Sequence, residues 1–115
     1  MRYRVSRDWA ASYADPIRLR AGEAVVLDGR QEHWDGHLWL WVRAGDGREG
    51  WVPDAWLRRD GAGWRARRDY SAEELSCVRG QALDGGEAVH GWVWCRADDG
   101  GEGWVPRRNL LPMAG

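Results

Sequence analysis

His37-Leu38-Trp39-Leu40-Trp41-Val42-Arg43-Ala44-Gly45-Asp46-Gly47-Arg48-Glu49-Gly50-Trp51-Val52-Pro53 returns as His90-Gly91-Trp92-Val93-Trp94-Cys95-Arg96-Ala97-Asp98-Asp99-Gly100-Gly101-Glu102-Gly103-Trp104-Val105-Pro106, identical at twelve of seventeen positions. His37 to His90 and Pro53 to Pro106 are both 53 residues apart, and Leu57 finds its counterpart at Leu110. A fixed period of this length marks two copies of one structural unit. Within each copy, Trp-x-Trp-x-Arg-Ala alternates as a strand does, the acidic Gly-containing stretch makes a hairpin turn, and Glu-Gly-Trp-Val-Pro is the returning strand. The Pro ends regular pairing because it has no N–H to donate.

The match continues upstream with small changes in length. Ala21-Gly22-Glu23-Ala24-Val25 answers Arg79-Gly80-Gln81-Ala82-Leu83, and Arg7-Asp8-Trp9-Ala10-Ala11 answers Arg68-Asp69-Tyr70-Ser71-Ala72. Ala24-Val25-Val26-Leu27 and Ala82-Leu83 read as an earlier strand in each copy, which predicts a meander of about five strands per unit. The expected division is a first domain over residues 1–58, a linker over 59–64 and a second domain over 65–115. Trp39 and Trp41 share one face of their strand, and Trp92 and Trp94 one face of theirs, while Ala44 and Ala97 point the other way. If the small residues face the core, the indoles lie outside it.

Composition agrees with short strands and tight turns. The 115 residues include ten Trp and sixteen Gly but no Phe. Aromatics suit half-buried pleated surfaces, Gly supplies positive φ, and large side chains are what units this small need to stay folded. The net charge is −1 with both signs interspersed, so general attraction to nucleic acid or to acidic membranes is not expected. No apolar run reaches the length of a signal peptide or a membrane span, from which a cytoplasmic protein is expected. Cys77 and Cys95 are expected to be reduced core residues, and neither has the Cys/His spacing of a zinc site. His37 and His90 have no nucleophile or carboxylate at a recognisable spacing, and no Ser sits in a glycine elbow. Neither catalysis, a metal nor a cofactor is expected.

The second copy carries four motifs in order that resemble the Src-homology-3 (SH3) family. Ala66-Arg67-Arg68-Asp69-Tyr70-Ser71-Ala72 is similar to A-L-Y-D-Y-x-A, and Glu74-Leu75-Ser76-Cys77-Val78-Arg79-Gly80-Gln81 to E-L-S-F-x-x-G-D. Trp94-Cys95-Arg96-Ala97 is similar to W-W-x-A, and Gly103-Trp104-Val105-Pro106-Arg107-Arg108-Asn109-Leu110 to G-x-x-P-x-N-Y-V. The first copy follows through Val5–Ala11, Leu19–Glu23, Trp41–Ala44 and Gly50–Leu57. The resemblance implies an all-β protein of two small five-stranded SH3-like barrels in tandem, of the variant type found in bacteria. It also implies that each barrel has an aromatic groove for polyproline-II peptides.

Such a groove works because a polyproline helix arrives already ordered, so flat indoles gain apolar contact at little entropic cost. Carried over by position, the first groove comprises Trp9, Trp41, Pro53 and Trp56, with Asp15, Glu32 and Asp35 in the flanking loops. The second comprises Tyr70, Trp94 and Pro106, with Glu73, Glu74 and Glu87 beside it. Arg7 and Arg68 stand where the family pattern has its first Tyr, and Asn109 where it has the Tyr after the last Pro. The expected function is therefore non-enzymatic recognition of a peptide or proline-rich segment of another protein, chiefly by the first unit. The competing expectation is a structural or inhibitory protein that binds a folded partner through a Trp-rich face. Nothing in the residues fixes the oligomeric state.

Overall fold

Twelve strands are present among residues 1–114, the part of the chain described by the computed structural model. In chain order they are β1 (Arg2–Val5), β2 (Arg18–Leu19), β3 (Ala24–Trp34), β4 (His37–Arg43), β5 (Glu49–Pro53), β6 (Leu57–Asp60), β7 (Gly63–Ala66), β8 (Tyr70–Ser71), β9 (Ala82–Val89), β10 (Trp92–Ala97), β11 (Glu102–Pro106) and β12 (Leu110–Pro112). Single 3₁₀ turns, Asp54–Trp56 and Arg107–Asn109, follow the two repeated prolines. The strands make two antiparallel sheets of five, ordered β5-β4-β3-β7-β6 and β11-β10-β9-β1-β12, and a two-stranded ribbon of β2 and β8. The fold class is all-β with two small five-stranded domains, as the repeat predicts.

The spatial units do not follow the repeats. One unit is the contiguous segment Asp15–Ala72; the other is discontinuous, made of Met1–Ala14 and the chain from Glu73 onward. β1, from the first repeat, pairs with β9 and β12 of the second, Tyr3 lying opposite Leu83 and Pro112. β7, from the second repeat, pairs with β3 and β6 of the first, through Val25↔Trp64 and Leu57↔Ala66. Each barrel body thus takes its opening arm from the other repeat, and the contiguous unit is inserted into the discontinuous one.

The expected boundaries of 1–58 and 65–115 differ from these units for a local reason. Residues 59–64, expected as a linker, form instead the end of β6, a turn and the start of β7, with Asp60 paired to Gly63. Gly61 takes φ +62 in that turn, and Arg65 Nε donates to the Asp60 carboxylate across the hairpin. A strand two residues downstream of β6 pairs with it at almost no loop-closure cost, so the arm stays with the body that precedes it.

The repeats can exchange arms because the arms are chemically equivalent. In the discontinuous unit Val5 N–H donates to Gln81 and Gly80 N–H to Val5; in the contiguous unit Ala66 N–H donates to Glu23 and Gly22 N–H to Ala66. Val5 fills the core of Cys77, Leu83, Val93, Cys95, Ala97, Val105 and Leu110. Burying a Val of this kind is worth about 1.5 kcal/mol or more, so the arm is a substantial part of that unit's stability. Ile17, Leu19, Val25, Val42, Ala44, Val52, Leu57 and Ala66 are the corresponding buried residues of the contiguous unit.

Alternation places Trp41 and Trp94 as expected, whereas Trp92, expected outside the core with Trp94, is buried. Val42 and Ala44, and Val93, Cys95 and Ala97, face inward, leaving Trp41 and Trp94 half-buried on the opposite face. The glycine before each returning Trp admits the next layer of chain. A Cβ on Gly50 would come 2.8 Å from Ile17 Cγ2, and one on Gly103 2.6 Å from the backbone of Glu74 and Leu75. Cys77 and Cys95 are buried free thiols; burial raises the pKa of both, that of Cys95 to about 11.

Candidate functional site: two aromatic faces with exchanged walls

The exchange reassigns the first aromatic of each expected groove. Trp9 is built into the discontinuous unit, bridged to Cys77 and packed edge-on against Trp92 at 5.4 Å. Tyr70 is built into the contiguous unit, where its ring meets Trp56 edge-on at 5.4 Å. Trp9, expected with Trp41, Pro53 and Trp56, is therefore built into the other unit, and Tyr70, expected with Trp94 and Pro106, stands instead beside Trp56.

In the contiguous unit two aromatic pairs result. Trp41 and Trp51, opposite each other on β4 and β5, meet edge-to-face at 5.1 Å. The Tyr70 hydroxyl donates to the Trp51 carbonyl at 3.2 Å, tying the Trp56–Tyr70 pair to the returning strand. Trp41, Trp51 and Trp56 each keep part of their surface in solvent, while Tyr70 is 8% exposed. Pro53 and Pro106, expected as groove walls, are fully buried. They end β5 and β11 with their rings inside the fold, and so shape the face from beneath without offering surface to a ligand.

Guanidinium groups complete this face. Arg68 lies 4.2 Å over the Trp56 ring, so the residue that replaces the family's first Tyr supplies a flat cation in the position of a flat ring. Arg30 lies 4.6 Å over the Trp41 ring. Its Nε donates to Asp28 Oδ2 at 2.8 Å, its Nη2 is 3.8 Å from Glu49 Oε1, and the Trp41 Nε1–H donates to that same Glu49 oxygen at 3.2 Å. The hydrogen bond from Arg30 holds the Asp28 carboxyl below its ordinary pKa.

In the discontinuous unit Trp94 and Trp104 repeat the edge-to-face pair at 5.2 Å, Trp104 being buried. Asn109 is no wall: it is buried, and its amide donates to the carbonyls of Arg7 and Asp8, clasping the exchanged arm.

The expected acidic guides divide in the same way. Glu32 and Asp35 are exposed near the tip of the β3–β4 hairpin, with Asp35 in its turn at φ +52. Asp15 forms an ion pair with Arg48 at 3.1 Å. Glu74 is committed to structure, one oxygen accepting from Trp9 Nε1–H and from both the N–H and hydroxyl of Ser12. Glu73 gives its carbonyl to Trp104 N–H. Among the described residues no cluster of His, Cys, Asp and Glu is arranged to hold a metal ion, and no helix is long and apolar enough to cross a membrane.

Sequence reasoning missed Arg30, Asp28 and Glu49 as parts of the face. Their meeting depends on an irregularity of β3 between Leu27 and Gln31, where Gly29 takes φ +94. No motif marks such a bulge.

No curated protein and no solved structure matches the chain. The model of the variant SH3 domain family matches it twice, over residues 2–60 and 64–113. These matches follow the sequence repeats, each covering the opening arm of one barrel and the body of the other. With nearly its whole length accounted for in this way, the chain belongs to the variant SH3 domain family, as a tandem pair.

Proposed function

We propose that this protein is a non-enzymatic binding module that holds an extended, proline-containing segment of another protein against the Trp41–Trp51 and Trp56–Tyr70 face of the contiguous unit. Domains of this family are in general protein-interaction modules, which supports the class of function. The observation that carries the choice of face is the joining of the two aromatic pairs through the Tyr70 hydroxyl and the Trp51 carbonyl. Rigid, half-buried indoles with adjacent Arg residues are the composition of binding hot spots. A folded partner is the second reading, favoured by the burial of Pro53 and Tyr70, which leaves the face shallow.

Titration of the isotope-labelled protein with a proline decamer flanked by Arg tests the proposal. Shifts of the Trp56 and Trp51 indole signals support it. Silence at every indole, with shifts produced only by an intact folded partner, favours the second reading.

A further inference from the structure

We propose that Arg30 is a displaceable internal plug on Trp41, occupying the place where a ligand's guanidinium would stack and so closing that end of the face to basic side chains. The inference rests on the peptide-binding reading above. The cradle is already one for a guanidinium: an indole ring below at 4.6 Å, Asp28 on one side at 2.8 Å, and Glu49, itself held by the Trp41 Nε1–H, 3.8 Å away. The Arg30 side chain is 56% exposed and that of Asp28 47% exposed. Exposed ion pairs and cation–π contacts of this kind are individually weak, so an incoming Arg bound elsewhere along the face competes with Arg30 on nearly equal terms.

The other unit supplies the internal comparison. In β3 the residues between the ladder pairs Leu27↔Val42 and Gln31↔Leu40 are Asp28, Gly29 and Arg30. In β9 those between Gly85↔Cys95 and Ala88↔Val93 are Gly86 and Glu87. The last unpaired residue before the ladder resumes beside the indole strand is thus Arg in one unit and Glu in the other. Among the described residues no guanidinium lies over Trp94. Trp41 is plugged by a local choice of residue, not by a requirement of the repeated fold.

The test uses the full chain, labelled at its indole nitrogens, with the arginine-flanked proline decamer as probe. In the wild type the Trp56 signal should move at lower peptide concentration than the Trp41 signal. Arg30→Gln should let Trp41 respond together with Trp56 and tighten binding roughly fivefold, the value of one exposed cation contact. Arg30→Lys keeps a cation in place and should stay near wild type, and unchanged amide spectra establish that both variants are folded. Binding unchanged or weakened in Arg30→Gln, or a wild-type Trp41 that responds as early as Trp56, overturns the plug. If the peptide still moves Trp56 in that case, the binding face stands without the plug. If it moves neither indole in any variant, both proposals fall.

Discussion

The Asp8 carboxylate accepts a hydrogen bond from the Arg79 N–H at 2.7 Å, across 71 residues of sequence. Its counterpart, Asp69, accepts from the Ala21 N–H at 2.8 Å, so in both units the turn of one repeat is held by the arm of the other. Asp8→Ala should therefore destabilise the unit built on residues 73 onward, and Asp69→Ala the segment Asp15–Ala72. Each should cost about 1 kcal/mol, the usual value of one such bond. Amide exchange read unit by unit checks this. Loss of protection confined to the unit that does not contain the mutated residue would contradict it.

Gly103→Ala should destabilise the discontinuous unit by about 1–3 kcal/mol, the cost of forcing a methyl group into packed backbone. The added Cβ would meet Glu74 C and Leu75 N at 2.6 Å, and neither atom can rotate away. Gly47→Ala places its Cβ in open space but at φ +90, so its effect should come from backbone strain alone. Denaturant midpoints with unit-specific probes separate the two.

Burial of Cys95 makes the discontinuous unit sensitive to alkali. The folded state raises the thiol pKa from 9.0 to about 11, so the fold favours the protonated form. That contribution is complete below the unfolded value and is lost as pH rises through the folded one. Stability should fall between pH 9.0 and about 11, and Cys95→Ala should flatten that slope relative to wild type. An equal slope in both proteins would assign the effect to other groups.

Trp56→Ala should weaken peptide binding by roughly thirtyfold, the result of truncating an aromatic anchor worth about 2 kcal/mol. Trp9→Ala should leave binding at that face unchanged, because Trp9 packs on Trp92 in the other unit. Titration calorimetry on the two variants decides it, and a large loss with Trp9→Ala would return Trp9 to the groove where the repeat alone would place it.

The repeat made much of this legible. His37–Pro53 and His90–Pro106 identified the hairpins, and their alternation put Ala44 and Ala97 inside and Trp41 and Trp94 outside. It also located the end of each returning strand at Pro53 and Pro106. The pairing of arms with bodies was not legible, because Arg7-Asp8-Trp9 and Arg68-Asp69-Tyr70 carry the same interactions and either satisfies either body. What decides between them is the Asp60–Gly63 hairpin, whose two glycines read equally well as a linker. Arg30 over Trp41 was beyond reach for a different reason, since it depends on the exact length of an irregular stretch of β3.

The exchange of arms carries both the fold and the composition of the binding face, and close proton–proton contacts in the intact protein test it most directly. The expected result is a set of nuclear Overhauser contacts joining Trp9 to Cys77 and Tyr70 to Leu19, as the backbone bridges require. Contacts joining Trp9 to Leu19 and Tyr70 to Cys77 would show two self-contained repeats and contradict the exchange.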